Sequence, residues 1–472
     1  MAHAYYGRTQ IFTDETEITS ENVISVVQKA MNVHSKNRGE IAYLYKYYKG
    51  MQPVYQREKE IRPEICNKIV ENWANKIVSF KVGYICGSPI QYVSADSEKS
   101  VSESIKMLNK YMDGDNKSSK DRDLFEWLFI CGTSYRMALP DTEDIFKTYV
   151  LDPHNTFVIY SNDYRKVPLA GVTYSTYTNN GARFKQFSVY TADNKFFEIK
   201  NDRIVREEDT VVGVPIVEYP ANNARLGAFE IVLDLLDAIN DLDSNRLDAV
   251  EQFIQSLVVV YNATLDGMTA NEIREKGLIE LKAIGENKGD IKILSEELNQ
   301  DQTQTLKNDI IQRVREIVGL PSQGDGTTGD SSNNGAQLLK GGWEDAETRA
   351  KETELMFRRS EILFLKNILK ICDYSQKSNI KLELNEIDIR FTRRNYENLQ
   401  VKAQVLTTML SSDKIAPKLA FQACGLFVDA EEAYIESEEY YESVRRTEQS
   451  NNGVAGDGQP AGDNEGRGGL PS

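Results

Sequence analysis

Apolar residues recur every three or four positions through most of the first 130 residues, which is the period of an α-helix. A first helix is predicted over 20–49, with Thr19-Ser20-Glu21 at its start and Gly50 at its end. Pro63 suits the first turn of a second helix, whose stripe would be Ile65, Ile69, Trp73, Ile77 and Phe80 until Gly83, Gly87 and Pro89 break it. From about 131 to 219 the period changes to two. YRMALP, TFVIYS, AGVTYSTYT, RFKQFSVYTA and KFFEIKN are aromatic and β-branched, with turns predicted at Asn179-Asn180-Gly181 and Asp193-Asn194. A small, mostly antiparallel β region is expected here.

The helical period returns after Pro220-Ala221-Asn222-Asn223 and predicts one helix over 227–262, about 54 Å long at ~1.5 Å per residue. Val232, Leu236, Ile239, Val250, Phe253 and Leu257 form its apolar side. Segment 263–299 is mixed and Gly-rich, with a strand expected at 290–294. A helix over 301–318 follows, predicted to be buried through Leu306, Ile310, Val314 and Ile317, and stopped by Gly319 with Pro321 beyond. SQGDGTTGDSSNNG, 322–335, is low in complexity. Another long helix would then place Leu339, Trp343, Ala346, Ala350, Phe357, Phe364 and Ile368 on one face, before a short strand at 388–392 and helices to about 446. The Gly/Asn/Asp-rich tail, 447–472, is expected to be disordered. The fold class is α+β, mainly α, and 472 residues are too many for one ordinary core.

Composition narrows the function. Lys and Arg number 56 against 72 Asp and Glu, a net charge of −16. A protein that grips nucleic acid needs a basic surface, so this balance argues against that role and leaves open one that surrounds DNA without holding it. The five cysteines are far apart and form no CxxC, which predicts reduced, mostly buried thiols. The N-terminal residues lack the basic stretch and apolar run of a secretory signal, and no run of about 18 apolar residues could span a membrane. The three histidines, His3, His34 and His154, do not cluster in sequence; Asp152-Pro153-His154 reads as a strand-end turn with a solvated imidazole. Gly335 to Gly341, GAQLLKG, superficially resembles a phosphate loop. Leu339 stands where its second glycine belongs and Gly341 where its hydroxyl belongs, so a motor ATPase is rejected. No catalytic residue, cofactor or metal site is expected.

The 227–262 helix carries the most distinctive pattern. Glu230, Asp234, Asp237, Asp241, Asp248 and Glu251 share one stripe, and polar Ser244 fills its gap. With Asp243, seven acids face a single base, Arg246, and no i,i+4 cation neutralises the stripe. On a lone helix this is an ordinary solvated face. In a ring of copies it would concentrate negative potential.

Six segments, in order, resemble the portal proteins of the SPP1-like siphophage family over nearly the whole chain. They are EICNKIVENWANKIVSFKVGYICGSPIQY at 64–92; 121–137; Val150-Leu151-Asp152-Pro153 with 157–160; 215–219 with Asn222-Asn223; the helix containing Leu236-Asp237-Ala238-Ile239-Asn240 and Ser244; and Asn334-Gly335-Ala336-Gln337-Leu338-Leu339-Lys340. The resemblance implies the portal fold, with a wing at 1–226, a stem helix at 227–262, a clip at 263–299, a second stem helix at 300–320, a tunnel loop at 321–335, a long wing helix and strand at 336–394, a crown at 395–446 and the tail beyond. It implies a homo-oligomeric ring, usually of twelve copies, at the unique capsid vertex of a virion assembled in the host cytoplasm. Double-stranded DNA would pass through it for packaging, head–tail joining and ejection. Partners would be a terminase, a head-completion or adaptor protein, and the major capsid and scaffolding proteins, with no membrane involved. Glu230, Asp234, Asp237, Asp241, Ser244, Asp248 and Glu251 become candidate channel residues. Gln323, Asp325, Thr327, Thr328, Asp330, Ser331, Ser332, Asn333 and Asn334 become the candidate tunnel loop, and Lys340 the candidate start of the long helix. The loop has no Lys or Arg before Lys340, which argues against gripping phosphates by charge. The competing readings are a packaging enzyme, either terminase subunit or nuclease, and a monomeric internal head protein.

Overall fold

The computed structural model describes residues 7–60, 63–95, 99–179, 182–254, 257–261, 263–265, 281–283, 290–294, 300–321, 343–392, 399–427 and 430–453. Strand β1 (Ile11–Thr13) precedes helix α1 (Val23–Tyr48), and α2 (Trp73–Ile85), β2 (Gln91–Ser94), α3 (Lys99–Gly114) and α4 (Lys117–Cys131) follow. The β region comprises β3 (Thr133–Pro140), β4 (Phe146–Leu151), β5 (Thr156–Ser161), β6 (Pro168–Asn179), β7 (Ala182–Thr191), β8 (Lys195–Lys200), β9 (Arg203–Asp209) and β10 (Ile216–Pro220). Then come α5 (Leu233–Ile254), β11 (Leu257–Tyr261), β12 (Ala263–Leu265), β13 (Leu281–Ala283), β14 (Asp290–Leu294) and α6 (Gln300–Val318). Helix α7 (Trp343–Tyr374), β15 (Ile387–Arg390), α8 (Leu399–Leu410), α9 (Pro417–Cys424) and α10 (Ala430–Gly453) complete the order. The chain is α+β and mainly helical.

Alternation produces the sheets as expected. The larger has order β1-β5-β6-β7-β8-β9, antiparallel except for β1 beside β5. Its Asp193-Asn194 turn is in place, with Asn194 at φ 58° and its N–H on the Thr191 carbonyl. Asn180 and Gly181 lie outside the described residues. Val23, Val26, Val27 and Ala30 of α1 cover this sheet against Phe157, Ile159, Val172 and Val189. A second sheet, β10-β3-β4, packs against α7. The predicted α7 face is buried at Ala346, Ala350, Phe357, Phe364 and Ile368. The expected late strand is β15, pairing antiparallel with β2.

Several expectations need correction. The second helix starts at Trp73, where the Asn72 side chain accepts from the Asn75 N–H; Ile65 and Ile69 lie in a non-helical strap, and Pro63 lies in a turn. The helix expected over 227–262 is a short 3-10 turn at Glu230–Val232 followed by α5, and it ends at Ile254. Leu257-Val258-Val259-Val260-Tyr261 instead forms β11 on β14, because three consecutive valines lose side-chain freedom in a helix and fit a pleated strand. Helix α6 has the expected extent and stop, with Gly319 at φ 70° and the Leu320 N–H on the Arg315 carbonyl. Its buried side is Val314 and Val318, while Leu306 and Ile317 are exposed, because the helix turns one face onto Val232 and α5. Helix α10 runs to Gly453, so 447–453 is not a structureless tail; 454–472 and the phosphate-loop look-alike at 335–341 lie outside the described residues.

Candidate functional site

The approach to α5 is built from close backbone contacts. Gly132 ends α4 at φ 77°, and a Cβ there would stand 2.1 Å from the Arg225 carbonyl oxygen, so only glycine lets the two segments pass. Beyond it the buried Glu230 accepts the Gly227 N–H at 2.8 Å and pairs with the buried Arg8. Arg8 also donates to the Cys131 carbonyl at 3.1 Å and pairs with Glu40 at 3.0 Å. Burial raises the Glu230 carboxyl above its ordinary value, with Arg8 opposing it. The N-terminal segment thus locks the start of α5.

Further along, α5 receives the strap, 57–71, in a regular ladder. The Glu71 N–H donates to Asn240 Oδ1 at 2.8 Å, the Ile69 N–H to Ser244 Oγ at 3.0 Å, and the Asn67 N–H to Asp248 Oδ1 at 2.7 Å. Every second residue of the strap meets every fourth residue of the helix. The match is geometric: two extended residues advance about 6.6 Å and four helical residues about 6 Å. Asn240, Ser244 and Asp248 are all buried, so the side chains of α5 do for the strap what a neighbouring β-strand would do. Asp248 also takes Lys59 Nζ and Arg57 Nη1, each at 2.8 Å. Burial alone would raise its carboxyl, but hydrogen bonds from Lys59, the Asn67 N–H and Arg57 outweigh that and hold it at about 2.

Helix α6 lies antiparallel to α5 on another side. Arg246 donates to Gln304 at 2.6 Å, and Lys307 pairs with Asp243 at 2.9 Å and with Glu71 of the strap at 2.9 Å. Lys307 thus joins α5, α6 and the strap, and α5 and α6 are linked at their far ends by β11 on β14.

The seven predicted channel residues are therefore not one open face. Glu230, Ser244 and Asp248 are buried within the chain, each committed to another segment of it. Asp237 is half-buried and accepts the Tyr47 hydroxyl at 2.8 Å, and Glu251 is half-buried. Asp234 and Asp241 remain exposed. Arg8, Arg57 and Lys59 reach the stripe from elsewhere in the chain, at Glu230 and Asp248, and Lys307 pairs with Asp243 beside it. The tunnel-loop residues Gln323, Asp325, Thr327, Thr328, Asp330, Ser331, Ser332, Asn333 and Asn334, and Lys340, lie outside the described residues.

Two features escaped the sequence. A buried ionic cluster joins α4, β3 and α7: Arg136 pairs with Asp121 at 2.9 Å and Glu361 at 3.5 Å, Lys117 with Asp121 at 2.5 Å, and Tyr92 and Tyr219 each donate to Glu361 at 2.5 Å. Burial works against the Arg136 charge, but Asp121 and Glu361 outweigh it and raise its pKa. The only hint was a charge at an alternating strand position. His154 is half-buried rather than solvated; it meets Asp152 at 2.7 Å with its ring edge-on to Trp127 and Tyr45. Burial favours a raised Asp152 pKa, and the hydrogen bonds with His154 turn that into a lowered one. His34, stacked near Phe157 and pushed down to about 4 by burial, is a core side chain. Among the described residues no group of three or more His, Cys, Asp or Glu could hold a metal ion, and no helix is long and apolar enough to cross a membrane.

No curated protein matches the chain in a sequence search. The profile of one family, described as phage portal protein, SPP1 Gp6-like, matches residues 28–445, a span that holds α5, α6, the strap and the ionic cluster. By that match over most of its length, the chain belongs to the SPP1 Gp6-like phage portal proteins.

Proposed function

We propose that the chain is the subunit of a ring, of about twelve copies, that forms the DNA channel at one capsid vertex. In this reading α5 and α6 are the stem, β11 to β14 belong to the clip, residues 321–335 are the tunnel loop, α7 and the two larger sheets belong to the wing, and α8 to α10 form the crown. The ring passes duplex DNA inward during packaging and outward during ejection. A separate terminase supplies ATP hydrolysis, head-completion or adaptor proteins bind at the clip, and capsid and scaffolding proteins meet the wing. The observation that carries the reading is the antiparallel pair α5 and α6, linked by β11 on β14, in a chain of the portal family.

Duplex DNA carries one negative charge per roughly 1.7 Å, so an acidic conduit discourages adhesion and favours sliding. Of the seven stripe residues, Asp234 and Asp241 are the exposed carboxylates available to a channel wall or to a neighbouring copy. Native mass spectrometry of the full chain tests the ring, and a clean monomer at micromolar concentration would contradict it. ATP turnover or DNA cleavage by the pure protein would overturn the non-enzymatic role.

A further inference from the structure

Two helix faces of this chain are left open, and they carry opposite charge at the same repeat. On α7, Leu355, Ile362 and Leu363 are 70%, 41% and 45% exposed. Arg359, Lys366 and Lys370 share that face, within about a third of the helix circumference at ~100° per residue. None of these three cations meets an acid among the described residues. Glu352 and Asp373 stand on the same stripe at its two ends, so the basic part is the stretch 359–370, where exposed aliphatic side chains sit among the three cations. The other face lies on α5 and the turn before it: Ile231, 53% exposed, then Asp234, Ala238 and Asp241, up to Asn245, which accepts the Arg57 guanidinium of the strap. Its spacing alternates three and four, so all five point one way. Asp234 and Asp241 have no ion-pair partner among the described residues.

Arg359 and Lys366 stand two helical turns apart, as do Asp234 and Asp241, about 10.5 Å in each case at ~1.5 Å per residue. Ile362 lies between the cations and Ala238 between the acids. We propose that these faces meet between adjacent copies, with α7 of one subunit on α5 of the next and Arg359 and Lys366 opposite Asp234 and Asp241. This rests on the ring reading. Such a contact joins two different surfaces, the kind a ring requires, and it leaves no free end where the rotation between copies closes. An α5-to-α5 contact would set acids against acids, which like-charge repulsion disfavours. A face carrying Leu355, Ile362 and Leu363 suits a protein partner better than solvated phosphate.

Charge reversal tests it on the full chain by native mass spectrometry and dilution. Arg359→Glu with Lys366→Glu, and separately Asp234→Lys with Asp241→Lys, should each raise the concentration for half-assembly by roughly tenfold or more. Combining all four changes restores opposite charges across the contact and should bring the ring back. A ring that persists in either paired variant, or that the fourfold swap fails to restore, overturns the contact while leaving the ring reading intact. A wild-type chain that is monomeric overturns both. Should a reversal prevent folding, Arg359→Gln with Lys366→Gln gives a milder arm, in which assembly should weaken and lose its salt dependence. Unchanged salt dependence there would count against the contact. If Asp234→Asn with Asp241→Asn raises DNA affinity without weakening the ring, the acids line the channel and the proposal fails.

Discussion

Helix α1 on its sheet and the strap on α5 are both segments laid across a regular element, yet they are held by opposite chemistry. The first contact is apolar: Val23, Val26, Val27 and Ala30 against Phe157, Ile159, Val172 and Val189. Removing apolar surface from water drives it, and direction matters little. The second is polar: Asn240, Ser244 and Asp248 each accept one backbone N–H of the strap. Such a contact contributes little net stability per bond but fixes register, because a shift by one residue would leave buried donors without acceptors. The apolar contact holds α1 on the larger sheet, and the polar ladder sets where the strap stands along α5.

The two contacts should break differently. Phe157→Ala should cost the most, about 4 kcal/mol in denaturant unfolding, through the cavity it leaves, with little dependence on salt. Asp248→Ala should cost about 3 kcal/mol, since it strands Lys59, Arg57 and the Asn67 N–H together; Asp248→Asn should cost less by keeping an acceptor. An equal loss for Asn and Ala would mean that charge, not the ladder, holds the strap.

The same carboxyl gives the ladder a pH signature in a lower window than that of the apolar contact, where His34 beside Phe157, held down at about 4 by burial, costs stability as the pH falls below about 6.5. Held at about 2 against an ordinary 3.8, Asp248 contributes stability that is fully present above about pH 4 and lost as the pH falls toward 2. Hydrogen exchange at the Asn67 and Ile69 amides should therefore quicken across that window, and Asp248→Asn should flatten the response. Ser244→Ala is a smaller perturbation, about 1–2 kcal/mol, because it leaves only the Ile69 N–H without an acceptor. Deleting 454–472 should leave unfolding and assembly unchanged, and a lower melting temperature would show that the segment packs.

What could be read from sequence follows the same division. Apolar periodicity gave α1, the α7 face and the β5 to β8 strands because burial imposes it locally. The Gly319-Pro321 stop was equally local. The strap was misread as helix because its apolar spacing fits one, while its hydrogen-bond partners lie far along the chain on α5. On the acidic stripe the reason is complementary: Ser244 and Asp248 look like part of a solvated face until the strap covers them. Near Leu257 the Val258-Val259-Val260 run favours a strand by propensity alone, and pairing with β14 decides it. Arg136 and Glu361 lie on elements that meet only in the folded chain.

The ring is the central claim, and electron microscopy of the purified full chain tests it most directly. The account predicts a closed ring of cyclic symmetry with α5 and α6 of every copy surrounding a central opening. A monomer, an open filament, or a ring that turns α5 and α6 to its outer rim would contradict it.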